Sequence, residues 1–169
     1  MMKNIILIGF MGSGKTTIGK ALEEKTDMTF VDTDELIEAY EGCKISDVFT
    51  DKGEAYFRRL ENETLKNLLA TTDNKVISTG GGIVTNQANI PLLKQLGKVY
   101  YLKIKPETVV KRLGGDKTRP LLMGENKFVK VEQLMSGRKE LYEIAADKTI
   151  DTDYLSVNEI VDIILENFT

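Results

Sequence analysis

Gly9-Phe10-Met11-Gly12-Ser13-Gly14-Lys15-Thr16 decides the fold of this 169-residue chain. The stretch satisfies the spacing G-x-x-x-x-G-K-[ST] with nothing missing. Asn4-Ile5-Ile6-Leu7-Ile8 before it is a short, β-branched apolar run, as a buried parallel strand should be. Thr17 to Lys25 after it reads as a helix, with Ile18 and Leu22 four apart on one face. The glycines therefore sit between a strand end and a helix start, where they let the backbone bend tightly and bring several N–H groups to face one point. The helix N-terminus adds partial positive charge there, and Lys15 adds a full one. Such a loop is a cradle for a polyphosphate, with the Thr16 hydroxyl placed for Mg²⁺. The four fixed positions should coincide by accident in roughly one chain in a hundred of this length, and the flanking strand and helix lower that further. Nucleoside triphosphate binding follows; the motif alone does not say what is done with the phosphate.

The bulk numbers narrow the field. The length suits one domain, expected over residues 1–169. A net charge of −3 implies no general attraction to nucleic acid or anionic membrane. The apolar run near the start is too short to span a bilayer, and its glycine-rich continuation does not read as a signal peptide. A soluble cytoplasmic monomer is the expectation. Cys43 is the sole cysteine, which excludes an internal disulfide, and the chain has no histidine. Acid–base work therefore falls to Asp, Glu, Lys or Tyr. Of 23 basic residues only Arg58, Arg59, Arg112, Arg119 and Arg138 are arginines. Each is a candidate for planar, bidentate recognition of carboxylate or phosphate, against the plainer reading of a surface choice.

Further along, strands are expected at 28–31, 75–79, 98–103 and 149–150. Helices are expected at 35–40, 54–70, 86–96, 105–113 and 129–146 and from Val157 onwards. Gly42 marks a helix stop, Pro91 warns of a late start, and Ser156 is placed to cap the last helix. Residues 114 to about 127 are rich in Gly, Pro and charge without a period, which reads as a mobile lid. Alternation of strands and helices gives a three-layer α/β/α domain with a largely parallel sheet, whose sites lie beyond the carboxyl ends of the strands.

Three strand ends carry unusual residues. Asp32 and Asp34 point to the same side if extended geometry persists; Asp32 is then assigned to the metal side and Asp34 to the proton of an attacking hydroxyl, unless one of them is only a helix cap. Gly80, Gly81 and Gly82 suggest close approach of backbone to a ligand, with N–H groups as donors, unless they form a flexible turn. Arg58 and Arg138, on separate helices, would together suit a small carboxylate. Arg119, within the lid, could swing onto a transferring phosphoryl group. The loop reading gives Gly12, Ser13, Gly14, Lys15, Thr16 and Thr17 to the triphosphate.

With these residues in hand, the chain resembles the shikimate kinases over essentially its whole length. The resemblance rests on Gly9 to Thr17, Asp32-Thr33-Asp34, Phe57-Arg58-Arg59-Leu60-Glu61, Gly80-Gly81-Gly82, Arg119-Pro120-Leu121-Leu122, and Arg138 with Leu141-Tyr142. It implies a five-stranded parallel sheet of nucleoside-monophosphate-kinase type, in order 2-3-1-4-5. It also implies ATP- and Mg²⁺-dependent phosphorylation of the shikimate 3-hydroxyl on the way to chorismate and aromatic amino acids. By position it places Asp34 at the reacting hydroxyls, and Arg58, Arg138 and Gly81 with its neighbours at the shikimate carboxylate. Arg119 reaches ATP and Arg112 lies against adenine. Phe49, Phe57 and Glu61 form the pocket wall and its support. The chain departs from the pattern after Asp153, where Tyr154-Leu155 replaces the basic residues of some members, so Tyr154 either stacks on adenine or points away. Two other readings share the loop. One is a related gluconate or nucleotide kinase. The other is a GTPase-like switch, for which Asn74-Lys75-Val76-Ile77 is an incomplete guanine-reading stretch.

Overall fold

The structure, a computed structural model, describes residues 4–71, 73–113 and 127–168. Five strands among them form one parallel sheet: β1 (Ile5–Ile8), β2 (Thr29–Asp32), β3 (Lys75–Ser78), β4 (Lys98–Lys103) and β5 (Lys148–Asp151), in the order β2-β3-β1-β4-β5. The expected three-layer α/β/α architecture and strand order are both present. β1 lies at the centre because it is apolar at every position and completely buried, with Ile6 facing Ile77 on one side and Val99 on the other.

Helices cover both faces, since parallel strands are joined by crossovers. Alternation along β1 divides the core in two. Ile5 and Leu7 pack against Ile18 and Leu22 of α1 (Lys15–Lys25) and against Ile160 and Ile164 of α8 (Val157–Phe168). Ile6 and Ile8 pack against α4 (Glu54–Thr71), α5 (Asn89–Leu96) and α7 (Lys127–Ala145) through Leu65, Leu93 and Tyr142. Each fully buried aliphatic side chain contributes roughly 1.5–3 kcal/mol. Two shorter helices, α2 (Thr33–Glu41) and α3 (Ile45–Lys52), pack with α4 around Ile37, Val48, Phe57 and Leu60 beside the main sheet. α6 (Pro106–Leu113) packs with α7 around Phe10 and Val109.

Local signals set the helix ends. Gly42 is left-handed at φ 73° and its N–H donates to Glu38 O, so α2 stops there. Ser156 Oγ accepts from Glu159 N at the start of α8. α5 starts late, after a 3₁₀ turn at Ile83–Thr85 rather than from Asn86, and Pro91 falls in its first turn, where no hydrogen bond is lost. The expected lid over 114–127 and Arg119 lie outside the described residues, except Lys127, which opens α7. Among the described residues no helix is long and apolar enough to cross a membrane.

At the amino end of the sheet, away from the glycine-rich loop, Asn4 is 2% exposed. Its Nδ2 donates to Leu96 O at 2.8 Å and its Oδ1 accepts from Lys75 N at 2.9 Å. Asn4→Ala leaves both backbone groups unmatched. It is expected to cost about 2–3 kcal/mol in urea unfolding; a loss below about 0.5 kcal/mol, the surface range, would show that the clasp contributes little.

Candidate active site

The loop after β1 closes on its own lysine. Lys15 Nζ donates to Gly9 O at 2.7 Å, Phe10 O at 3.0 Å and Ser13 Oγ at 3.4 Å. Gly12 and Gly14 are left-handed, at φ 81° and 93°, and Gly14 caps α1 with no side chain across the helix end. The first N–H groups of α1 and its partial positive charge therefore face the loop's interior. Arg112 of α6 donates to Gly12 O at 2.9 Å, fixing that helix to the loop.

β2 ends differently from the extended reading. Asp32 is the N-cap of α2: its Oδ1 accepts from Asp34 N at 2.8 Å and from Glu35 N at 3.4 Å. The chain turns helical at Thr33, so Asp32 and Asp34 are not related by strand alternation. Both still line the same cavity. The backbone N–H groups of a helix start offered Asp32 a nearer partner than continued strand geometry did.

β3 runs into the three glycines, which are held from behind. Thr79 donates through both its N–H and its hydroxyl to Leu7 O. Gly80 N–H donates to Thr33 Oγ1 at 3.1 Å, so it is not offered to a ligand. Gly80 O accepts from Ile83 N, Gly82 O accepts from Thr85 N and Oγ1, and Gly81 O accepts from the Tyr142 hydroxyl. The Gly81 and Gly82 N–H groups donate to no protein acceptor among the described residues. The triplet is thus a rigid floor, and two of its three amides remain for the ligand role expected of all three.

Charged side chains crowd that floor. A methyl on Gly82 would lie 2.4 Å from Arg58 Nη1; one on Gly80 would lie 2.6 Å from Glu61 Oε2 and 2.9 Å from Asp34 Oδ1; one on Gly81 would lie 3.2 Å from Met11 N and 3.8 Å from Arg138 Nη1. Arg58 Nη1 donates to Glu61 Oε1 at 2.7 Å and Nη2 to Glu54 Oε1 at 3.2 Å. Its guanidinium lies 5.3 Å from the Phe57 ring centre, and that of Arg138 5.5 Å from Phe10. Among the described residues, Arg58 Nε and Arg138 Nη1 are buried donors with no protein acceptor. Phe49 and Phe57, 4.9 Å apart, form one wall. The other arginine of α4, Arg59, lies over Tyr56 instead.

One cavity of about 860 Å³ joins these parts. It is lined by Gly12, Ser13, Gly14, Lys15, Thr16 and Thr17 at one end and by Asp34, Arg58, Arg138 and the three glycines at the other, with Asp32 and Arg112 between flanking elements. Thr152, Leu155, Val157 and Ile160 line it too. Tyr154 does not: it is 73% exposed and holds Lys105, whose ammonium lies 4.6 Å from the ring centre. Thr33, Phe10 and Tyr142 are supporting residues that the sequence reading quoted only within motifs and gave no role of their own. A signal existed for Tyr142: it lies four residues after Arg138 on the buried face of a helix, where a phenol needs a partner.

Burial governs the titration of the site. It pushes the Glu61 carboxyl up to about 7, Arg58 pulls it back and Asp34 adds to the rise. Burial alone would lower the Arg58 pKa, but Glu61 and Glu54 more than offset this and hold it above the usual value. Burial likewise pushes the Tyr142 phenol up to about 12, so it stays a donor.

A central phosphate loop, the strand order and a charged cavity beside the loop define a P-loop kinase fold. Comparison with known proteins narrows this. The family model "Shikimate kinase" matches residues 11–169. The shikimate kinase of Sulfurihydrogenibium sp. (strain YO3AOP1) is 46% identical over 164 residues, covering 97% of this chain and 96% of that protein. The solved shikimate kinase from Acinetobacter baumannii, in complex with shikimate, is 38% identical with a TM-score of 0.93, over 99% of this chain and 93% of that one. A gluconokinase from Sinorhizobium meliloti is similar only in fold, at 13% identity over 98% of this chain and 91% of that one, with a TM-score of 0.57. The chain belongs to the shikimate kinase family, a family of phosphotransferases.

Glu61 gives the site a pH signature. The folded chain keeps a proton that the unfolded chain releases near the ordinary value of 4.5. The folded state therefore binds more protons between about 4.5 and about 7, and stability falls as pH rises through that window. Wild type is expected to lose up to about 3 kcal/mol relative to Glu61→Gln between pH 4.5 and 8, by urea unfolding. A difference between the two that stays flat with pH would contradict it.

Proposed function

We propose that the protein transfers the γ-phosphoryl group of ATP to the 3-hydroxyl of shikimate, giving shikimate 3-phosphate and ADP, on the route to chorismate and aromatic amino acids. The observation that carries this reading is the convergence of Arg58, Arg138 and Asp34 on the three-glycine floor, in the cavity that also contains the phosphate loop. A half-buried guanidinium at Arg58 and a buried one at Arg138, each with a donor to spare, suit a ligand carboxylate, and the amides of Gly81 and Gly82 add to them. Phe49 and Phe57 offer an apolar wall to a carbon ring. The relative solved with shikimate supports the choice of acceptor.

Each group then has a task. The loop amides and Lys15 bind the β- and γ-phosphates and offset charge that develops as the phosphoryl group moves. The Asp34 carboxylate accepts the proton of the attacking hydroxyl. Arg58 and Arg138 fix the acceptor by its carboxylate, so that the hydroxyl faces the γ-phosphate rather than turning in the cavity. Arg112 holds α6 against the loop near the nucleoside, and Arg119, outside the described residues, reaches the ATP phosphates in this reading. The Thr16 hydroxyl and the Asp32 carboxylate are hard oxygen donors lining the same cavity, a donor set that fits Mg²⁺. When bound, Mg²⁺ neutralises phosphate charge.

A coupled ADP-release assay with shikimate, gluconate and nucleoside monophosphates tests the reading; turnover with shikimate alone is expected, and turnover with gluconate or a nucleotide would overturn it. Asp34→Asn is expected to lower kcat by about 10²–10⁴-fold while the KM for ATP changes little, because it removes the base and leaves the cradle. Near-normal turnover would contradict the role of Asp34.

A further inference from the structure

Tyr142 is 1% exposed, yet it carries a hydroxyl. Its ring stacks on Tyr101 of β4, with centres 4.9 Å apart and planes 20° apart. The hydroxyl donates to Gly81 O. Arg138 lies one turn earlier on the same helix, with Nη1 beside Gly81.

This bond acts through a peptide plane. Gly81 C=O and Gly82 N–H belong to one peptide unit, and no described peptide bond is cis. In a trans unit the two groups point in opposite directions. Tying the carbonyl back to α7 therefore sends the Gly82 N–H away from the Tyr142 hydroxyl, and the Arg58 guanidinium lies beside Gly82. The preceding unit is fixed in the same manner, because Gly80 O accepts from Ile83 N and leaves Gly81 N–H facing the other way. Glycine has no side-chain preference that would hold these planes, so the carbonyl partners do.

We infer that Tyr142 is a positioning residue for the acceptor: its hydroxyl locks the Gly81–Gly82 peptide so that the Gly82 N–H is aimed at the carboxylate held by Arg58 and Arg138. The inference rests on the functional reading above. It assigns Tyr142 no contact with substrate. Its effect falls on recognition of the acceptor's charge, and neither the ring's packing nor the phosphate loop takes part.

Tyr142→Phe keeps the ring and removes the hydroxyl. Calorimetric titration of wild type and variant with shikimate and with its uncharged carboxamide separates the possibilities. The variant should lose about tenfold in shikimate affinity, one donor's worth. Its KM for shikimate should rise in parallel, with kcat reduced less than about threefold. Carboxamide affinity should be the same in both proteins. Equal shikimate affinity in the two proteins would overturn the inference alone. An equal loss for the carboxamide would mark general damage and also overturn it. Failure of wild type to bind shikimate would overturn the functional reading and this inference with it. Should the variant fold poorly, the Gly82 amide resonance of wild type decides. A shift with shikimate and none with the carboxamide supports the aimed donor, and no shift with either refutes it.

Discussion

No methyl group fits at Gly80 or Gly82 without displacing a charged side chain, and this constraint organises the three-glycine end of the cavity. The space that side chains would fill after β3 is taken by Glu61, Asp34 and Arg58. Three consecutive glycines are costly in chain entropy. They are held by hydrogen bonds with α2, α7 and the 3₁₀ turn, and Thr79 just before them is tied to β1, so the cost is met by elements that are ordered for other reasons. α4 and α7, on one face of the sheet, and α2 beside them thereby bring their charges to one backbone surface.

Gathering so many charges away from water requires compensation. Arg58 has it in Glu61 and Glu54, and the faces of Phe57 and Phe10 add weaker support to Arg58 and Arg138. Glu61 bears the strain: its burial, with the charge of Asp34 beside it, raises its pKa despite the opposing pull of Arg58 and Arg138. A ligand carboxylate placed between the two guanidinium groups would complete the balance. On this account the arginine pair favours an acidic acceptor before any shape is considered. The phosphate loop is adjacent but separately closed, with Lys15 satisfied by the loop's own carbonyls.

Much of this was legible in the sequence. The loop spacing, flanked by one apolar run and one helical period, placed the nucleotide end. The three glycines after a strand and the scarcity of arginine pointed to residues that the fold brings into the same cavity. The strand order was not readable from periodicity, because crossovers leave no local signature; it came from family resemblance. Local competition hid other features. Asp32-Thr33-Asp34 reads equally well as a strand end or a helix start, and the cap bonds from Asp34 N and Glu35 N decide it. Tyr154 turns outward because Lys105 meets it, a partner 49 residues away. The support of Gly81 by Tyr142 spans 61 residues and is equally invisible to a local pattern.

The central claim is spatial: one acidic alcohol, held by its carboxylate, presents its hydroxyl to the end of a bound triphosphate. A crystal structure of the protein with shikimate and ADP tests it most directly. The account predicts the carboxylate between Arg58 and Arg138, within hydrogen-bond distance of the Gly82 amide, and a ring hydroxyl at Asp34 facing the phosphate loop. A shikimate carboxylate bound elsewhere, with Asp34 remote from every hydroxyl, would contradict it.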